Sequence, residues 1–445
     1  MMGEERSWGN AGLEAGRPPE VDADTAGRTP VSREPWQTVV AMLLSLTVGL
    51  GAMSQYAFGL FIGPIVQDTG WGNRAVSGGV ALFLMMSAVG VAVLGALIDR
   101  FGPRWPALAS VLLCVLSITG ASLASSGFQF AAMLGLAGAF YGAGTGIAFS
   151  QVISARFNKR RGLALGIGTA GTGVGGIILP QYSTLLLEYF DWRGSFLALA
   201  ITVTVIAVPA VFLGLPPGRG VAAAGVVKTR MNPDKARLSK AVLSRHFVLL
   251  AFAVMLASCS SLAMMVHAIG MMTAAGFPLH QAATVMSAVA LASIIGRMSG
   301  GYLMDILFAP VVSAFIFALA ATCAVGTMLA PNAVAAATCL VVFGFVAGAE
   351  GDVIPYMISR YFDQAIFGRC FGIIIFLFMI AGGTGVLISS WLYERSGEYT
   401  ASLIFVALLS ATAALLISQM GPYRNGQPSA ARRDGIGCPE TKMLS

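Results

Sequence analysis

Apolar residues fill most of this chain in long runs, and polar residues gather in the short stretches between them. Runs of about 20 residues fall near 37–62, 75–98, 105–125, 128–153, 162–187, 194–214, 247–274, 281–304, 310–330, 333–358, 367–392 and 400–420. About 20 apolar residues, rising 1.5 Å each, cross a hydrocarbon core of about 30 Å as a helix. The pattern therefore predicts an all-α membrane protein of twelve transmembrane helices, two six-helix repeats around a central cavity. Its halves are 36–214 and 247–420, joined by a polar linker, 215–246. Residues 1–35 and 421–445 are polar and rich in Gly, Pro or charge, and are expected to be disordered tails. No cleavable signal peptide is expected at the start.

Composition agrees with the pattern. Hydrophobic residues make up 56% of the 445 positions and charged residues only 11%, where a soluble domain carries about 25%. The net charge of +7 does not point to nucleic acid, because the basic residues sit in loops. Arg100 and Arg104 follow span 2, and Arg156, Lys159, Arg160 and Arg161 follow span 4. The linker holds Arg219, Lys228, Arg230, Lys235, Arg237, Lys240 and Arg245, and Arg360 and Arg369 flank the loop between spans 10 and 11. The opposite loops hold only Arg74, Arg193 and Arg395. The positive-inside rule then predicts both termini and the linker in the cytoplasm of a plasma membrane. Cys114, Cys259, Cys323, Cys339 and Cys370 fall in apolar runs without metal-ligand spacing and read as free thiols. No metal cluster, nucleophile constellation or phosphate loop argues for an enzyme, and no cofactor is expected.

The two halves repeat. An offset of about 206 residues carries Gly70-Trp71 onto Gly276-Phe277, Gly95 and Asp99 onto Gly301 and Asp305, and Gly162 and Gly166 onto Gly368 and Gly372. Parallel repeats of six helices are a transporter architecture.

Gly95-x-x-x-Asp99-Arg100-x-Gly102-x-Arg104 resembles the signature of the major facilitator superfamily, with a degenerate copy at Gly301-x-x-x-Asp305. The resemblance covers about residues 36–420. It implies that Asp99, Arg100, Arg104 and Asp305 gate: they cap helix ends and pair across the cytoplasmic side. Phe157-Asn-Lys-Arg-Arg-Gly-Leu-Ala-Leu-Gly166 with the glycines that follow, Asp191-Trp192-Arg193, and Gly348-Ala-Glu350-Gly-Asp352-Val-Ile-Pro355 are similar to monocarboxylate porters and oxalate–formate antiporters of bacterial type. The run Gly171-Thr-Gly-Val-Gly175-Gly176 also approximates a span 5 motif of proton-coupled drug exporters, with Thr172 in place of proline.

Arg297, inside an apolar span, is the most informative residue of the chain, because such a charge costs about 2.5–3.5 kcal/mol on insertion scales. It matches the arginine by which the resembled family binds a substrate carboxylate, and a guanidinium fork suits that group. Its counterpart in the first half is Val91, so the charge is no part of the repeated scaffold. At an offset one residue shorter, Glu350 and Asp352 replace Thr145 and Ile147, and they lie at similar depth, about 12–15 Å from the cytoplasmic end. Pointing about 200° apart on one helix, they both face the cavity only if Gly351 and Pro355 distort it. Either an acid neutralises Arg297 permanently, or it pairs only in the empty state and yields to substrate or a proton. His267 in span 7 is a third candidate, because histidine's unperturbed pKa suits proton sensing or substrate contact. Gln55, Tyr56, Tyr141, Gln151 and Gln181 are the polar cavity candidates of the first half.

Two departures narrow the expectation. Mammalian-type members carry an aspartate where Ser293 stands, and the oxalate exchanger type has a lysine in span 11, where 370–392 holds no basic residue. One buried cation fits a small monocarboxylate better than a dicarboxylate. The reading is a proton-coupled transporter of small organic anions working by alternating access, as a monomer, with carboxylate, protons and lipid as its partners. A drug or efflux proton antiporter and a non-transporting ligand sensor stay open as alternatives.

Overall fold

The computed structural model describes residues 36–144, 146–157, 160–217, 235–363 and 366–423. Helices fill nearly all of them, because a backbone surrounded by lipid has to satisfy its own hydrogen bonds. Twelve are long and apolar enough to cross a membrane. We label them α1 (Trp36–Ala57), α2 (Asn73–Phe101), α3 (Arg104–Ser122), α4 (Gly127–Arg156), α5 (Arg161–Tyr189), α6 (Trp192–Gly214), α7 (Arg245–Ala274), α8 (Leu279–Ile306), α9 (Ala309–Met328), α10 (Ala333–Tyr361), α11 (Phe367–Ser396) and α12 (Thr400–Ser418). The chain of α1 continues into a further helical piece, Gly59–Thr69, and the linker contains a short helix, Lys235–Val242.

The packing repeats as the sequence does. In the first half α2 lies on α4, α3 on α4 and α6, and α1 on α5 and α6. In the second, α8 lies on α10, α9 on α10 and α12, and α7 on α11 and α12. The halves meet along two seams, α2 with α11 and α5 with α8, which the same repeat interchanges.

Glycines set how close the paired helices come. A Cβ on Gly90 of α2 would strike the Ala139 carbonyl of α4, and one on Gly138 would strike the Phe83 carbonyl. At the same offset of 206, Gly296 of α8 meets the Phe345 carbonyl of α10, and Gly344 meets that of Val289. The turn geometry repeats too: Gly70 and Gly276 stop their helices at φ of 69° and 93°, a conformation costly for any side chain with a Cβ.

The Asp191-Trp192-Arg193 motif is a clasp on the side away from the termini. Asp191 caps α6 by accepting from the Gly194 N–H at 2.7 Å. The Trp192 Nε1 donates to Asp68 at 2.8 Å, and Arg193 donates to the Ser122 and Ala124 carbonyls at 2.6 and 2.9 Å. Residues 1–35, 218–234 and 424–445 lie outside the described residues. Expected disorder begins at 421, but Gly421 and Tyr423 are packed: Tyr423 accepts from the Ala309 N–H at 2.9 Å, and Tyr361 donates to the Gly421 carbonyl. The aromatic ring accounts for this, seated 5.0 Å from Phe308 and 5.4 Å from Tyr361 between ring centroids.

Candidate functional site

A cavity of about 500 Å³ lies between the halves, on the side that carries the chain termini. Its wall comes from the first half of α5 (Leu163 to Gly173), the last half of α8 (Ser293 to Met298), Gln55 and Tyr56 of α1, and Ala347 and Gly348 of α10. The two halves diverge toward the termini: a Cβ added at Gly166, Gly301, Gly368 or Gly372 would meet nothing within 4 Å. Further in they close. Gly173 packs on Ile294, Gly176 on Ala290 and Tyr56, and Gly59 on Val266 and Ile269.

Local irregularity in α1 supplies two of the lining residues. Regular helix stops at Thr47 and resumes at Leu50, and Met53–Ala57 forms a single π-helical turn. Such turns break the register of an α-helix and often sit at functional sites. Here the turn carries Gln55 and Tyr56, and the Tyr56 hydroxyl meets the Ser293 Oγ of α8 at 2.9 Å. This hydrogen bond crosses the halves one helical turn above Arg297.

Arg297 is exposed into the cavity. Asp352 is half-buried, and both it and Tyr56 lie within electrostatic reach of the guanidinium. Among the described residues, however, no carboxylate comes within ion-pair distance of Arg297. Glu350 points elsewhere. It is 3% exposed, accepts a hydrogen bond from the Ser261 Oγ of α7, and leaves its other oxygen without a hydrogen-bond partner. The two acids thus turn to different neighbours, as a separation of two helical residues requires.

The other candidates divide by place. Gln55 lines the cavity beside Tyr56. Tyr141 does not: it lies inside the first half, its ring 5.4 Å from Phe83 and its hydroxyl against Gly51. Gln181 sits farther along the α5–α8 seam and donates to the Thr284 hydroxyl at 3.2 Å. Gln151, late in α4, is not among the lining residues. His267 belongs to a second cavity, of about 660 Å³, on the far side from the termini. Its Nε2 lies 3.1 Å from the Ser390 Oγ and 3.4 Å from the Val386 carbonyl, while Nδ1 is buried without a partner. The structure therefore does not bring His267 and Arg297 together.

The residues expected to gate lie as follows. Arg104 donates to the Leu215 carbonyl at 2.6 Å and stacks over Phe212 at 5.0 Å, so it caps the end of α6 within its own half. Arg100 lies over the Phe101 ring at 5.3 Å. The side chain of Asp99 lies outside the described residues. Asp305 is exposed, within electrostatic reach of Arg360.

Ser261 went unnoticed in the sequence. The signal available was the polar cluster Ser258, Ser260 and Ser261 within an otherwise apolar span. The five cysteines of the helices are free, as expected.

Known proteins bear on this arrangement. The family model described as Major Facilitator Superfamily matches residues 44–364. Monocarboxylate transporter 13 of Rattus norvegicus is 24% identical over 398 residues, 86% of this chain and 88% of that one. The Fujikurins efflux protein of Gibberella fujikuroi is 28% identical over 224 residues, 48% of this chain and 45% of its own. Among solved structures, the nucleoside transporter NupG matches with a TM-score of 0.69 at 12% identity, over 86% of this chain and 99% of that chain. A bacterial homologue of the human lysosomal transporter Spinster, in an inward-facing and occupied conformation, matches with a TM-score of 0.67 at 15% identity, over 86% and 96%.

Proposed function

The chain belongs to the major facilitator superfamily, and we propose that it carries organic monocarboxylates across a membrane together with protons, by alternating access. One observation carries the reading: a guanidinium, Arg297, exposed into the cavity between the halves with no carboxylate in ion-pair contact among the described residues. A permanently neutralised arginine would be structural. An arginine left open, flanked by the hydroxyls of Tyr56 and Ser293, offers a substrate carboxylate two parallel donors. The name of the rat relative, a monocarboxylate transporter, supports the same class.

Placing the basic loops in the cytoplasm makes this an inward-open arrangement in a plasma membrane. Substrate then reaches Arg297 from the cytoplasm, and His267 faces the opposite vestibule. Asp352, near Arg297, senses its charge and that of the substrate. Glu350 takes the proton, since an ionised carboxylate is costly to bury without a cation, and its hydrogen-bond partner among the described residues is a hydroxyl, that of Ser261. Closure of the cytoplasmic ends and opening of the other side would expose the two groups there in turn.

Proteoliposomes test this directly. With an inward proton gradient, uptake of radiolabelled monocarboxylate should exceed its equilibrium level, and Glu350→Gln should abolish that accumulation while leaving counterflow exchange. Accumulation in Glu350→Gln equal to the unmodified protein would remove Glu350 from the coupling step. Uptake indifferent to the gradient in both proteins would end the proton reading.

The Tyr56–Ser293 bond should bias the cycle. Tyr56→Phe removes a hydrogen bond worth about 0.5–1.5 kcal/mol, formed in the inward-open arrangement. Spin labels at Leu163 and Met298, across the cavity, should then show shorter separations gaining population by up to about tenfold. An unchanged distance distribution would mean the bond survives both arrangements.

A second reading, a drug or efflux proton antiporter, draws on the Gibberella relative and on Gly171 to Gly176. Close packing already accounts for two of those glycines: Gly171 abuts the Leu43 carbonyl and Gly175 that of Thr47. Export of lipophilic cations by the proteoliposomes, without carboxylate movement, would favour this reading. Carboxylate binding without any flux would favour a ligand sensor.

A further inference from the structure

We infer, resting on the monocarboxylate reading above, that the substrate is an acid with an extended apolar tail, alkyl or arylalkyl, rather than a two- or three-carbon acid. The wall beside Arg297 is the reason. Leu163 and Ile167 stand one turn apart on the same face of α5, and Ile294 and Met298 flank Arg297 on α8. All four line the cavity, and Leu163, Ile167 and Met298 are 57%, 37% and 74% exposed.

Size points the same way. A volume of about 500 Å³ lies within the range of about 300–1,000 Å³ that encloses drug-sized ligands. A three-carbon acid on Arg297 would leave most of that space to water held against apolar walls. An apolar tail running from Arg297 along Ile294 and Met298 toward Ile167 and Leu163 would replace that water, and burial of tail and wall together is favourable. Charge fixes the other end. Arg297 is the single basic side chain lining the cavity among the described residues, so one carboxylate is matched and a second, at the far end of the tail, would meet Leu163 and Ile167.

A rival account of these walls is that the four side chains serve only to close on each other when the cytoplasmic ends meet. That account gives no dependence on tail length. Calorimetric titration of the full-length protein in detergent, with empty-micelle heats subtracted, separates the two. The probes are acetate, butyrate, hexanoate and octanoate, with octanamide as the uncharged control and suberate as the eight-carbon diacid. Affinity should rise about fourfold per methylene up to octanoate, and suberate should bind more weakly than octanoate. Ile167→Asn and Met298→Gln should each reduce the gain per methylene, Met298→Gln at nearly constant side-chain volume. A flat series, with acetate equal to octanoate and both lost in Arg297→Gln, would overturn the tail and leave the carboxylate reading standing. Octanamide binding as tightly as octanoate, with Arg297→Gln without effect, would overturn the carboxylate reading and the tail with it.

Discussion

Arg297→Gln should lower monocarboxylate affinity by about 10–150-fold and leave the protein folded. A hydrogen bond to a charged group contributes about 1.5–3 kcal/mol, which sets the range. The stability half of the expectation follows from the surroundings. Removing one member of a buried ion pair strands the other charge, at about 3–5 kcal/mol. Among the described residues Arg297 has no such partner in ion-pair contact, and it opens into the cavity. Asp352 keeps partial access to water when the arginine is gone. Arg297→Lys keeps the charge without the planar fork and should fall between the two. Calorimetric affinity and the melting temperature, measured on the same preparations, decide the matter. A large drop in melting temperature with unchanged affinity in the surviving protein would return Arg297 to a structural role.

Gly296→Val should abolish folding, whereas Gly301→Ala on the same helix should not. On an exposed soluble helix, alanine is about 1 kcal/mol better than glycine. Gly301, with nothing within 4 Å of an added Cβ, follows that rule. At Gly296 the sign reverses, because the obstacle is the Phe345 carbonyl of α10, a backbone group held within its own helix. A flexible side chain could swing aside; a helical carbonyl moves only with the helix. One extra methyl in a packed core costs about 1–3 kcal/mol, and valine brings three carbons to a point where none fits. Gly90→Val in the first half should behave as Gly296→Val does, since the Ala139 carbonyl stands in the equivalent place. Size-exclusion profiles of detergent extracts would show a monodisperse peak for Gly301→Ala and its loss for the two valine variants. A monodisperse Gly296→Val would mean α8 and α10 can part without loss of the half.

Much of this was legible because lipid leaves the chain few choices. Twelve apolar runs became twelve helices, since no other open structure satisfies the backbone in hydrocarbon. The offset of 206 between the halves returned in the paired contacts of Gly90 and Gly296, and of Gly138 and Gly344. Arg297, Gln55 and Tyr56 share one cavity, and each stood out as a polar residue in an apolar run. Helix rotation was harder. Lipid-facing and core-facing sides are both apolar, so hydropathy barely fixes which way a residue points. Tyr141 consequently read as a cavity residue, although close approach of α2 and α4 turns it toward Phe83. Depth alone also could not say that Glu350 faces Ser261 on α7 while Asp352 stays near Arg297. Asp191-Trp192-Arg193 read as a family mark; its work is to join the helical piece Gly59–Thr69 and the far end of α3 to the start of α6.

The two kinds of contact in this fold differ in how easily they slide. Within a half, glycines let one backbone press on another, and a carbonyl seated against a glycine keys the two helices like a tooth in a notch. Along the α5–α8 seam the side chains of Ile294 and Ala290 rest on Gly173 and Gly176, whereas on the α2–α11 seam a carbonyl, that of Ala81, again meets a glycine, Gly383, beside the Met85 side chain. Few directional bonds cross there: Gln181 to Thr284, Ser287 to the Ile177 carbonyl, Tyr56 with Ser293, and Glu394 with the Arg74 N–H. Under the alternating access proposed above, the α5–α8 seam would be the bearing on which the halves turn. Wear in such a mechanism would show first as roughness: a bulky residue at Gly173, which faces the Ile294 side chain and not a carbonyl, would slow the turnover of a protein that still folds.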